Sequence, residues 1–154
     1  PQFGFEGVLE KFNLPDLNEL IQSYTPAKIN KGIADKISFS GRADEKKASG
    51  SMKFLYHDLQ IDLELQNKAK WKSSLLAFAA NTALHSSNPE SSNAPPRDVK
   101  FQVERDVNKG FVNIVIKSVL NGLKETMIMS KENRKTFKEA KKKSKQETKR
   151  EGKK

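Results

Sequence analysis

Asp58, Asp62 and Glu64 fall on alternate positions of one extended stretch, a spacing that paired carboxylates use for acid–base work. No nucleophile or oxyanion-forming element accompanies them, and any solvated strand face has the same pattern. They are therefore read first as a polar face and only second as the acids of a hydrolase. The two histidines, His57 beside Asp58 and His85 after an Ala-rich segment, are too few for a metal site in a chain without cysteine. Arg105 continues the apolar alternation Val99, Phe101, Val103 and is followed by Asp106. A charge there either sits past the edge of the core or is paired, because buried charges are rare otherwise. The chain has no P-loop, GxGxxG, GxSxG or HExxH pattern. No catalytic residue, metal or cofactor is assigned, and the chain is read as non-enzymatic.

The elements that carry these residues are legible from apolar periodicity. Residues 3–12 form a weak strand with two glycines. Asn13 to Asp16 is a turn, with Asp16 as N-cap of a short helix over 16–25 that carries Leu17, Leu20, Ile21 and Tyr24 and stops at Thr25-Pro26. Residues 29–42 alternate with period two, placing Ile29, Ile33, Ile37 and Phe39 on one face. After the charged turn 43–49, Met52, Phe54 and Tyr56 alternate with polar residues. The phase then flips at His57-Asp58, and Leu59, Ile61, Leu63 and Leu65 take over. A one-residue slip exchanges the two faces, so a β-bulge is predicted at 57–58.

An Ala-rich helix is predicted over 71–84, a Pro/Ser/Asn loop over 86–97, and a strand over 98–106. The strongest helix signal, 110–128, has a stripe of Phe111, Val112, Val115, Ile116, Val119, Leu120, Leu123 and Met127, with Gly122 as an interruption. The fold class is α+β: a twisted, mostly antiparallel sheet of four or five strands with two main helices and a shorter one.

The net charge of +10 is unevenly spread. Residues 131–154 hold twelve of the 29 Lys/Arg and only four of the 19 acids, so the domain over 1–130 is nearly neutral. With Phe137 as its one aromatic, 131–154 is expected to be a disordered or loosely helical, unpacked tail. Its lysines, in particular Lys141, Lys142, Lys143, Lys145, Lys149 and Arg150, suit phosphate-rich surfaces, whether lipid headgroups or nucleic acid. The apolar strand residues Ile33, Ile37, Phe39, Met52, Phe54, Leu59, Ile61, Leu63, Leu65, Phe101 and Val103 form either ordinary core or a lipid-contacting groove. No apolar run is long enough to span a bilayer.

The order of segments resembles the C-terminal region of AsmA-like proteins of Gram-negative envelopes. The resemblance is carried by IADKISFSG (33–41), GSMKFLYHDLQIDLEL (50–65), the Ala-rich segment followed by Asn88-Pro89, FQVERD (101–106) and FVNIVIKSVLNGLKET (111–126) before a Lys-rich end. It implies a fragment of a longer periplasmic polypeptide, anchored in the inner membrane by a segment upstream of it. That polypeptide would serve phospholipid transport or outer-membrane assembly through a hydrophobically lined β-structure. The implied partners are phospholipid or a membrane surface and the upstream part of the same chain. A different class of function is a cytoplasmic polyanion- or nucleic-acid-binding module acting through the tail.

Overall fold

The computed structural model describes residues 2–23, 27–63, 85–128 and 131–151. The fold is α+β. Five antiparallel strands form one sheet: β1 (Phe3–Leu9), β2 (Phe12–Asn13), β3 (Ala27–Ala43), β4 (Lys47–Leu63) and β5 (Asp98–Glu104). Their order is β1-β3-β4-β5, and β2 continues the line of β1 along β3. A 3-10 turn (Leu14–Leu17) leads into α1 (Asn18–Gln22); α2 (Phe111–Met127) and α3 (Lys131–Glu151) follow the sheet. Asp16 lies inside the 3-10 turn and is not an N-cap; Pro15 suits the first positions of that turn, and Leu17 stands at the N-cap position of α1 without a side-chain cap. The predicted helix over 71–84 lies outside the described residues.

β4 runs unbroken through 57–58, as the phase flip predicts, and the bulge falls there. Asp58 takes a φ of 57°, a left-handed conformation that Asp tolerates better than most side chains. Opposite it, Gly32 has a φ of 143°, and a Cβ there would stand 2.9 Å from Leu14 Cδ1 and 3.2 Å from Leu59 Cα. Two further register shifts put extra residues in β3 near Asn30 and Asp35. These shifts overturn one assignment. Ile33 pairs with His57 on the outer face, and Gly32 and Ala34 take the buried positions between Ile29 and Ile37. Strict period two is lost because each bulge inverts the faces.

The inner face is built in cross-strand rows. Phe5, Gly41, Gly50 and Phe101 form one row, and the Phe5 and Phe101 rings lean over the two glycines to stack at 6.4 Å. Gly50 is required there, since a Cβ would meet Ser40 O at 2.0 Å. The next rows bring Phe39, Met52 and Val99, then Ile37 and Phe54, into the core with Tyr56, Leu59, Leu14 and Ile21. Each fully buried side chain of this size contributes roughly 2 kcal/mol.

α2 covers the inner face, but not with the stripe expected of it. Its buried positions are Ile114, Ser118, Gly122, Leu123 and Thr126, whereas Phe111 and Val112 are 63% and 55% exposed. The helix lies so close to the sheet that small residues must face it. A Cβ on Gly122 would sit 2.8 Å from Met52 Sδ. Ser118 and Thr126 are tolerated there because their hydroxyls donate to Ile114 O and Gly122 O within the helix. Gly122 thus marks the point of closest approach and is not an interruption. Val119, Leu120 and Met127 flank it, half-buried against the core.

The tail is also better ordered than its composition suggests. Residues 131–151 are one helix, and its first turns are docked: Asn133 is buried and Phe137 packs on the core cluster. One polar anchor, one aromatic and the Lys141–Glu90 pair hold the helix to the domain.

Candidate functional site

The polar centre of the molecule is Arg97, in the residue stretch leading into β5. It is fully buried although no apolar pattern surrounds it in sequence. Its guanidinium is the hub of a network: Nε donates to Thr126 O at 3.0 Å, and Nη2 donates to Ser87 O at 2.7 Å and to the Tyr56 hydroxyl at 3.1 Å. Tyr56 in turn donates to His85 O at 2.7 Å. Nη1 has no hydrogen-bond acceptor, but the Glu90 carboxylate stands 3.5 Å away as its counter-charge.

β4 and the loop 86–97 position these groups. Tyr56 and Asn88 exchange backbone hydrogen bonds of 3.0 and 2.8 Å, so the loop adds a one-residue bridge to the sheet. Asn88 is completely buried. Its carboxamide accepts from Arg97 N at 2.7 Å, donates to Arg97 O at 3.3 Å and also donates to Phe54 O. The Asn88-Pro89 segment therefore belongs to the interior although its composition reads as a surface loop.

Glu90 is the outward end of the network. It faces two cations, Arg97 at 3.5 Å and Lys141 Nζ at 3.6 Å, and the imidazole of His85, whose Nδ1 lies 3.3 Å away. Burial pushes the Tyr56 hydroxyl above its ordinary pKa, and the Arg97 charge opposes that shift. Burial, aided by Arg97, lowers the His85 pKa, with Glu90 acting against it. Tyr56 is thus held as a neutral donor and His85 as a neutral ring. Chemically, the arrangement ties β4, the loop, the end of α2 and α3 together. The Tyr56 proton is committed to a backbone carbonyl.

The residues singled out by sequence are distributed elsewhere. Asp58 is exposed at the bulge, Asp62 accepts a hydrogen bond from Asn30 Nδ2 on the outer face, and Glu64 lies outside the described residues. Among the described residues no three His, Asp or Glu side chains are grouped as metal ligands. His57 pairs with Asp35 at 2.9 Å on the solvent side. Arg105 lies just past β5 and is half-buried: its backbone N–H bonds to Lys46 O, its guanidinium donates to Asp44 O at 3.4 Å, and its Nε is buried without a hydrogen-bond partner among the described residues. Asp44 itself is held below the usual carboxylate range by the backbone N–H groups of Lys46 and Lys47.

Of the apolar set, Ile37, Met52, Phe54, Leu59 and Phe101 are core, no more than 6% exposed, and Phe39, Ile61 and Val103 are half-buried. The Leu63 side chain and Leu65 lie outside the described residues. A depression of about 1080 Å3 is lined largely by polar residues, Ser40, Arg42, Ser49, Ser51, Lys100 and Glu125 among them. On the tail, Lys141 is engaged by Glu90 and lies 5.9 Å from the Phe137 ring centre, while Lys142, Lys143 and Lys149 are exposed. Lys145 and Arg150 belong to α3, but their side chains are outside the described part.

Sequence inspection missed Arg97, Asn88 and Tyr56 as a unit. The one signal was Arg97 itself, the only charge between Glu90 and Asp98 in a Pro/Ser/Asn stretch.

The edges of the sheet are treated unequally. The Asn133 side chain accepts from Lys100 N and donates to Lys100 O, both at 3.0 Å, occupying the outer edge of β5. Asn18 does the same for Ile29 at the start of β3, both bonds at 2.8 Å. Each carboxamide imitates a neighbouring strand. β1 has no such cover: among the described residues it pairs with β3 alone, with Val8 and Leu9 exposed beside it.

No family model matches the chain, and neither a curated protein nor a solved structure matches it. Among the described residues no helix is long and apolar enough to cross a membrane.

Proposed function

We propose that this chain is a non-enzymatic terminal module of an AsmA-like envelope protein serving lipid transport or outer-membrane assembly. The observation that carries the proposal is the asymmetry of the sheet. One edge is capped at Lys100 by Asn133, and the other, β1, pairs among the described residues with β3 alone. β1 has neither Lys nor Pro and two glycines, and Glu6 is its one charge, so it carries few of the usual devices against strand addition. An edge of that kind requires a partner strand. A sheet uncapped on one side and capped at one position on the other suits the last unit of a longer β-structure, and the segment order resembles the end of such proteins. In this proposal the upstream part of the same polypeptide, periplasmic and anchored in the inner membrane, supplies that strand and the lipid-bearing groove. The residues Ile37, Met52, Phe54, Leu59 and Phe101 close the groove's end as core.

The test is native mass spectrometry with lipid extraction on the chain alone and on the full-length protein. Phospholipid on the full-length protein and none on the isolated module supports the proposal. Its absence from both removes the lipid function. An alternative, a nucleic-acid-binding module acting through the Lys-rich α3, draws on its charge; tight, steeply salt-dependent binding of duplex RNA would favour it.

A further inference from the structure

α3 has two faces that the linear sequence does not separate. Asn133, Phe137 and Lys141, four residues apart, form the docked side, through Lys100, the core and Glu90 respectively. Away from that side, Lys131, Lys135, Lys138, Lys142 and Lys149 recur in steps of four, three, four and seven, whereas Arg134 falls beside Lys141 near the docked side, where its charge reaches His85. All five lysines of the row are exposed, and among the described residues no carboxylate lies within ion-pair distance of them. Glu132 and Glu139 fall outside this stripe. At 1.5 Å per residue the row extends about 27 Å. Docking fixes the roll of the helix, so the cations point one way together.

We infer that this stripe is a peripheral docking surface for an anionic phospholipid bilayer. The row is straight and carries no apolar residue, so it can rest on a plane of charge and has nothing to insert. A duplex presents its phosphates on a winding path that a straight row meets only in part. The stripe is all lysine, without the Asn, Gln or Arg-rich spacing that reads bases. The inference refines the envelope function proposed above by assigning the membrane contact to five residues. It also separates them from Lys141, which is committed to Glu90.

The experiment is co-sedimentation of the purified chain with phosphatidylcholine vesicles, with and without phosphatidylglycerol. Wild type should sediment only with the anionic vesicles. Lys135→Gln/Lys138→Gln/Lys142→Gln should weaken binding roughly a hundredfold, each lysine being worth about fivefold near such a surface. Lys11→Gln/Lys46→Gln/Lys109→Gln, with the same change in net charge, should weaken it less than about threefold, because those charges are screened from the contact. Both variants alter exposed residues only, and unchanged urea midpoints check that they fold. Equal losses in the two variants, equal binding to neutral vesicles, or displacement from anionic vesicles by duplex RNA at matched phosphate would each overturn the inference. Because the assay uses vesicles and the isolated chain, its failure would leave the lipid-extraction result on the full-length protein untouched.

Discussion

The Asn133 carboxamide forms a closed pair of hydrogen bonds with the backbone of Lys100, both 3.0 Å long, and in doing so occupies the edge of β5. It also donates to Glu125 Oε2 at 2.9 Å, so one side chain joins β5, α2 and α3. Asn133→Ala leaves the Lys100 N–H and C=O open to solvent. It should cost about 2 kcal/mol and release α3 without unfolding the sheet. Hydrogen exchange at Lys100 should accelerate while exchange at Phe54 stays slow; a global loss of protection would refute an edge-specific role.

Arg97 sets the stability of the interior. Arg97→Met removes the donors to Thr126 O, Ser87 O and Tyr56, leaves buried acceptors unsatisfied, and should cost roughly 3–5 kcal/mol in urea unfolding. Arg97→Lys should recover little of it, since an ammonium cannot reproduce the guanidinium fork. Tyr56→Phe should cost about 1–2 kcal/mol, and the Arg97/Tyr56 double variant should fall short of additivity because the two share a hydrogen bond.

Two glycines predict opposite tolerance. Gly50→Ala drives a methyl group against Ser40 O and Gly41 Cα, backbone that cannot yield, and should destabilise by roughly 3 kcal/mol. Gly122→Ala meets Met52 side-chain atoms, which can shift, and gains helix propensity of about 1 kcal/mol. Its net effect should be within about 1 kcal/mol of zero. Thermal melts of the two variants check the order.

His85 gives the interior an acid-sensitive contribution. Its folded pKa lies below the unfolded value of 6.5, chiefly through burial and then through Arg97. The unfolded chain therefore binds the proton more readily. The contribution is complete above pH 6.5 and is lost as pH falls through the lower folded value. His85→Gln keeps the backbone bonds to Tyr56 and Met127 and should flatten the loss of stability between pH 7.5 and 5. Parallel pH profiles for wild type and variant would exclude this role.

The sheet was legible from apolar alternation, and the phase flip at His57-Asp58 located the bulge because a slip of one residue leaves a visible change of parity. Ile33 was misplaced because the compensating shifts near Asn30 and Asp35 fall among polar residues, where parity leaves no trace. The α2 face was misjudged because hydrophobicity ranks Val112 and Ile116 above Ser118 and Gly122, whereas the space against Met52 ranks them by size. Arg97 was illegible because its burial depends on acceptors 10 to 41 residues away, at Ser87, Thr126 and Tyr56. The docking of α3 rests on Asn133, Phe137 and the Lys141–Glu90 pair, too little to alter a composition dominated by lysine.

The central claim is that β1 receives a strand from the same polypeptide. Hydrogen exchange of the β1 amides, compared between this chain and the full-length protein, tests it most directly. The account predicts that outward-facing amides of Phe3–Leu9 exchange rapidly in the isolated module and become protected in the longer protein at every protein concentration. Equal exchange in both, or protection that appears only as concentration rises and so reports pairing between copies, would contradict it.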